Sequence, residues 1–121
     1  MGFSDAVRSV INQYAGFTGR AGRSEFWYWV LFTFVVGIVI QALSGMMPSL
    51  TYLGYLFSLA TIVPNLSVGA RRLHDIGKSG WLWLAWLIPI LGWIYMIYLL
   101  IQPSQGPNAY GDAPASAPVA A

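Results

Sequence analysis

The sequence contains no cysteine and few charged residues, and both shortages limit what the protein can be. Without cysteine it has no disulfides and no thiolate metal sites, and one histidine cannot supply a metal cluster. Only 8% of the residues are charged and 57% are apolar, against about 25% and roughly 45–50% in ordinary globular chains. So few charges cannot cover this much apolar surface in water, and the composition therefore indicates a membrane protein. A net charge of +2 does not suggest a nucleic-acid partner, and no cofactor is implied.

Three uncharged stretches are long enough to cross a bilayer, namely 26–43, 50–66 and 81–101. A transmembrane helix needs about 20 residues, with a range of roughly 17–25. The second stretch can extend through Pro64 to Ala70, because membrane helices tolerate proline where a neighbour satisfies the freed carbonyl. Tryptophan and tyrosine cluster at the ends of the stretches, as they do at membrane interfaces. The pattern predicts three transmembrane helices within a single membrane domain over 1–112.

An amphipathic helix is predicted ahead of the first span, over residues 3–15. Its apolar side chains fall within a narrow arc at 100° per residue: Phe3, Val7, Val10, Ile11 and Tyr14. This pattern favours a helix on the membrane surface, and the alternative is a helix packed on the protein's own cytoplasmic loop. The predicted fold class is an all-α membrane protein with three transmembrane helices preceded by a short amphipathic interfacial helix. The chain after residue 101 is rich in proline, alanine, glycine and serine, and residues 113–121 are predicted to be a disordered tail.

All six basic residues fall on one side of a three-span bundle: Arg8, Arg20, Arg23, Arg71, Arg72 and Lys78. The positive-inside rule makes that side cytoplasmic. We therefore expect a cytoplasmic N-terminus, an external hairpin at 44–49 and a periplasmic C-terminus. If the third stretch is instead re-entrant, broken at Pro89 and Gly92, the tail lies inside.

The charged residues near the two cytoplasmic segments form the candidate site: Arg20, Arg23, Glu25, Arg71, Arg72, His74, Asp75 and Lys78. In a helix, Asp75 can pair with Arg71 or with Arg72, and Glu25 with the other. The cluster either fixes the helix packing or binds an anion, such as an anionic lipid headgroup or an acidic membrane partner. Catalysis by His74 and Asp75 is disfavoured, because adjacent helical residues point about 100° apart and no nucleophile pattern accompanies them. No catalytic or metal-binding residue is assigned.

A transporter or channel subunit is the alternative hypothesis. No ionisable residue lies within the predicted spans, which argues against a proton-coupled pump or an ion channel in one subunit. Three short helices enclose little volume, so a pore would require an oligomer, for example a homo-oligomer, lined by Gln41, Ser58, Thr61 and Asn65.

Four segments resemble one bacterial inner-membrane family. They are YAGFTGRAGRSEFW at 14–27, ARRLHDIGKSGW at 70–81, IPILG at 88–92 and GPNAYG at 106–111. Long and in order, these motifs are similar to those of the family catalogued as domain of unknown function 805, the YhaH-like proteins. The resemblance implies a small, multi-pass protein of the bacterial inner membrane, and it implies no reaction.

Overall fold

The computed structural model describes residues 2–112, which form a bundle of helices. The α-helices are α1 (Phe3–Asn12), α2 (Arg23–Met46), α3 (Thr51–Asp75) and α4 (Leu91–Leu100), with short 3-10 helices at Pro48–Leu50 and Gly80–Leu87. No β-strand occurs between residues 2 and 112, so the all-α prediction is confirmed for that part of the chain. The tail predicted to be disordered, 113–121, lies outside the described residues.

The two long helices, α2 and α3, form an antiparallel hairpin. Their most apolar windows have mean hydropathies of 2.0 and 1.4, and both are long and apolar enough to cross a membrane. Only 6% of the first window and 33% of the second is buried inside the protein, whereas the core helix of a soluble protein is mostly buried. Both helices extend beyond the predicted spans at the end where α2 begins and α3 ends.

The first helix packs against the protein itself. Ala6 and Val10 are fully buried, and the ring of Phe3 meets the ring of Tyr28 on α2 edge to face, with 5.8 Å between centroids. The helix ends at Asn12, three residues earlier than predicted. Part of the apolar face is thus buried on α2 rather than on the cytoplasmic loop of the second arrangement, and Phe3 and Ile11 on the same helix remain exposed.

The third apolar segment is not one continuous helix, so the predicted third transmembrane helix over 81–101 is not confirmed. A 3-10 helix ends at Leu87, the chain turns at Ile88–Ile90, and α4 then runs back from Leu91. Pro89 causes the break, because proline lacks an N–H donor and disfavours helical conformation in the residue before it. Gly92 permits the tight return, since a Cβ there would collide with the carbonyl oxygen of Ala85. We call residues 80–101 the short hairpin.

Both ends of the short hairpin lie at the same end of α3. At its start, a Cβ on Gly80 would lie 2.9 Å from the Cβ of Ala70. At its finish, the carbonyl oxygen of Leu100 accepts a hydrogen bond from Arg72 Nη2 at 3.0 Å. α4 is about 15 Å long at 1.5 Å per residue, about half of the roughly 30 Å hydrocarbon core of a bilayer. The chain therefore enters and leaves the short hairpin at the same end of α3, whereas the three-span prediction has it leave at the far end of the bundle.

Candidate functional site

Five charged side chains are buried together where α2 begins and α3 ends. They form the charged cluster, which consists of Arg20, Glu25, Arg71, Arg72 and Asp75. Arg20 lies in the segment before α2, Glu25 in the first turn of α2, and the others in the last turns of α3. Because an unpaired buried charge is costly, each of these groups needs a partner inside the protein.

Three ion pairs occur within the charged cluster, one joining Arg71 to Glu25 and two sharing Asp75. Arg71 Nη1 lies 2.7 Å from Glu25 Oε2, and Arg72 Nη1 lies 2.8 Å from Asp75 Oδ2. This is one of the two arrangements that the helical spacing allowed. Arg20 Nη2 lies 3.0 Å from the second carboxylate oxygen of Asp75, so Asp75 joins two arginines. With three arginines and two carboxylates, the charged cluster carries one positive charge in excess.

Backbone carbonyl groups satisfy much of this positive excess. Arg20 Nη1 donates to the carbonyl oxygens of Gly106 at 2.8 Å and Gly111 at 2.9 Å. Arg72 donates to the carbonyl oxygens of Leu100 and Gln102 at the end of the short hairpin. The arginines therefore fix residues 100–111 against the end of α3.

The segment RRLHDIGKSGW ends α3 and begins the following 3-10 helix, and its residues 76–79 form the turn between the two helices. Gly77 adopts a left-handed conformation, with φ of 77°, and ends α3 in a Schellman motif. In this motif the Lys78 N–H donates to Leu73 O at 2.9 Å, and the Gly77 N–H donates to His74 O at 3.0 Å. Ser79 Oγ then accepts a hydrogen bond from the Trp81 N–H and caps the following 3-10 helix.

His74 lies beside the charged cluster but makes no ion pair in it. Its Nδ1 is 3.0 Å from the carbonyl oxygen of Gly19; a carbonyl can only accept, so Nδ1 donates. The imidazole stacks on the Tyr110 ring, with centroids 4.1 Å apart and an angle of 3° between the planes. No group of three or more metal-ligating side chains occurs in the part of the chain that the structure describes.

A groove of about 550 Å³ runs between α3 and the start of the short hairpin. Its wall is mostly apolar and includes Leu66, Ala70, Trp81 and Leu84, with His74, Ser79 and Tyr110 at its polar part. Its size falls within the range of ligand clefts, roughly 300–1,000 Å³. We call it the α3 groove.

Arg23 and Lys78, the two remaining candidate site residues, are exposed and lie outside the charged cluster. Neither forms an ion pair with any residue between 2 and 112. Within the described residues, the Arg23 side chain makes only one hydrogen bond, a long one from Nη1 to the carbonyl oxygen of Ile101 at 3.4 Å. The eight predicted site residues thus divide into a buried paired set, the half-buried His74, and two exposed cations.

The four polar residues assigned to a pore do not form one polar surface. Thr61 Oγ1 donates to carbonyls of its own helix, and Asn65 Oδ1 accepts from Trp29 Nε1 at 2.7 Å. Gln41 and Ser58 line a separate shallow depression between α2 and α3.

Sequence reasoning missed several partners of the cluster. Ser9 Oγ donates to Glu25 Oε2 at 3.1 Å, Ser104 Oγ donates to Asp75 Oδ2, and Tyr110 stacks on His74. The segment GPNAYG was the available signal, since it supplies Tyr110 and two of the carbonyls that Arg20 binds. The hydroxyls of Ser9 and Ser104 lie far in sequence from the carboxylates that they contact, and no motif in the sequence indicated these contacts.

These features define a class of protein: a helical membrane protein with two long apolar helices, a short hairpin and a buried set of ion pairs holding them together at one end. A family model described as "Protein of unknown function (DUF805)" matches residues 14–112, and the chain belongs to this family. The match covers every residue of the charged cluster.

Curated relatives agree with this assignment. "Inner membrane protein YhaI" of Escherichia coli (strain K12) is 39% identical over 110 residues, covering 88% of this chain and 92% of that protein. "Inner membrane protein YhaH" of the same organism is 35% identical over 116 residues, covering 91% and 96%. "Uncharacterized protein YiiR", also from that organism, is 35% identical over 82 residues, covering 64% and 56%. No solved structure shows a significant match to the chain.

Proposed function

We propose that this protein is a non-enzymatic inner-membrane protein that binds anionic lipid at the end where the charged cluster lies. The observation that carries the proposal is the division of its basic residues. Arg20, Arg71 and Arg72 are buried and paired, while Arg23 and Lys78 are exposed at the same end and have no acidic partner among residues 2–112. In this proposal the buried set is structural and the exposed set meets the lipid headgroups.

The membrane placement follows from the same division. α2 and α3 cross the bilayer, and the positive-inside rule puts the basic end in the cytoplasm. In this proposal the short hairpin enters from the cytoplasmic side and returns to it, so that the N-terminal segment and residue 112 are both cytoplasmic. The exposed apolar residues of α1, Phe3 and Ile11, suit contact with lipid.

The magnitudes favour a modest, reversible lipid preference. A Lys or Arg near an anionic leaflet contributes about 1 kcal/mol of binding free energy. Breaking a buried ion pair instead costs roughly 3–5 kcal/mol of stability. Arg71 and Arg72 are therefore unsuited to exchanging their partners for a headgroup, and the exposed cations are suited to it.

The surroundings of His74 support a non-enzymatic role. Its Nδ1 is committed to a backbone carbonyl, and no hydrogen bond joins its ring to a hydroxyl or a side-chain carboxylate among the described residues. A nucleophile–base pair requires such a bond.

The test is native mass spectrometry of protein extracted from vesicles of equal parts phosphatidylcholine and phosphatidylglycerol. We expect wild type to retain phosphatidylglycerol preferentially, and the double variant Arg23→Gln/Lys78→Gln to lose that preference. The matched control, Arg23→Lys/Lys78→Arg, preserves both charges and should keep it. Equal retention of the two lipids by wild type would overturn the proposal.

A further inference from the structure

The α3 groove has an apolar wall that faces outward from a membrane-spanning helix. Leu66 on α3 and Trp81 and Leu84 on the short hairpin all line the groove, and all three are exposed. The surroundings of such a surface at membrane depth are hydrocarbon, and the residues there must pack against an acyl chain or another apolar segment. The groove is therefore shaped and located to hold part of a lipid.

The other part of the groove is polar. Because His74 Nδ1 donates to Gly19 O, its Nε2 is the ring atom left to interact with a ligand. That Nε2 would lie 3.5 Å from a Cβ placed on Gly80, a residue that lines the groove, so it faces the groove wall. Ser79 also lines this part, and Lys78, its neighbour in the chain, is exposed.

Charge complementarity identifies the headgroup. Lys78 has no ion-pair partner within residues 2–112, and the charged cluster behind His74 carries one positive charge in excess. No carboxylate lines the groove in the described part of the chain. A phosphate group fits this environment, because a hydroxyl and an ammonium group can donate to its oxygens, and with Nδ1 already donating to Gly19 O the imidazole Nε2 donates to them in the doubly protonated ring.

We propose that the α3 groove is a specific site for one anionic phospholipid, with an acyl chain against Leu66 and Leu84 and its phosphate at His74, Ser79 and Lys78. This inference rests on the proposed function and deepens it by assigning a pocket. The groove is formed by close contact of the short hairpin with α3. A Cβ on Gly69 would lie 2.8 Å from the ring of Trp83, so glycine is needed for that contact.

The test fills the groove without changing any charge. Leu66→Trp places a large ring in the groove, and Leu59→Trp on the same helix is the matched control, since Leu59 is 67% exposed and does not line the groove. Both variants are extracted from phosphatidylcholine–phosphatidylglycerol vesicles and examined by native mass spectrometry. We expect the fraction of protein that keeps a bound phosphatidylglycerol to be at least tenfold lower for Leu66→Trp than for wild type. For Leu59→Trp we expect this fraction to equal that of wild type.

The outcomes separate the pocket from the general function. If Leu66→Trp retains phosphatidylglycerol as well as wild type, while the Arg23→Gln/Lys78→Gln variant loses it, the groove proposal is overturned and the proposed function stands. If wild type does not distinguish the two lipids, both are overturned. A photoreactive amino acid in place of Leu84 provides an independent measurement. Crosslinks to phosphatidylglycerol support the site, and crosslinks to a protein chain without lipid overturn it.

Discussion

Arg71 Nη1 and Glu25 Oε2 are 2.7 Å apart, and the two side chains are 0% and 4% exposed. The pair joins the last turns of α3 to the first turn of α2. Arg71 Nε also donates to Gly16 O at 3.0 Å, so the same guanidinium holds the loop between α1 and α2. One side chain thus joins three parts of the chain: α3, α2 and the loop between α1 and α2.

Removing one partner of this pair should destabilise the protein strongly. Glu25→Gln preserves shape but leaves Arg71 with a buried, uncompensated charge, which costs roughly 3–5 kcal/mol of unfolding free energy. Arg23→Gln is the control, because Arg23 is exposed and outside the ion pairs. Denaturant unfolding in mixed detergent micelles measures both. Equal unfolding midpoints for the two variants would contradict the structural role of the pair.

Asp75→Asn should loosen the segment after the short hairpin. The substitution weakens the contacts of Asp75 with Arg20 and Arg72, the side chains that hold the carbonyls of residues 100–111. We expect hydrogen–deuterium exchange to accelerate across 100–111, while the middle of α2 is unchanged. Asp112→Asn, at an exposed position without an ion pair in the described chain, is the matched control. Exchange at wild-type rates in Asp75→Asn would show that the arginines do not hold this segment.

Gly77→Ala should destabilise the turn after α3. A left-handed conformation costs a residue with a Cβ about 1–2 kcal/mol, and the added Cβ would lie 2.7 Å from Gln105 Oε1. Gly106→Ala provides the comparison, because a Cβ at Gly106 meets nothing within 4 Å. The thermal unfolding midpoint should fall for the first variant and stay unchanged for the second. A comparable fall in both variants would contradict the argument that the left-handed conformation at position 77 requires glycine.

The parts of the structure that follow from local sequence were predictable. Uncharged length located α2 and α3, because insertion of a helix into hydrocarbon depends on its own composition. The Arg72–Asp75 pair follows from an i,i+3 spacing. The pair between Arg20 and Asp75 spans 55 residues, so only the folded chain brings it together.

The third apolar segment shows why length alone misleads. Residues 81–101 are long enough to span, but Pro89 removes a helical donor and Gly92 allows the chain to reverse. The reversal is then held by Arg72 binding the carbonyl of Leu100, a contact that no periodicity reveals. A tertiary interaction therefore favours the re-entrant arrangement over the spanning one, and the sequence alone left both open.

The short hairpin makes a direct prediction about topology, which the absence of cysteine makes easy to test. Single Ser49→Cys and Asp112→Cys variants each carry one thiol at an exposed position, the first beside the α2–α3 turn and the second beyond the short hairpin. In intact cells whose outer membrane has been made permeable, a membrane-impermeant maleimide should label Cys at position 49 and not at position 112. Both should be labelled once the inner membrane is disrupted. The reason is geometric: Arg20 binds the carbonyl of Gly111, so we expect residue 112 on the same side as the N-terminal segment. Labelling at position 112 in intact cells, to the extent seen at position 49, would mean that the third segment crosses the membrane.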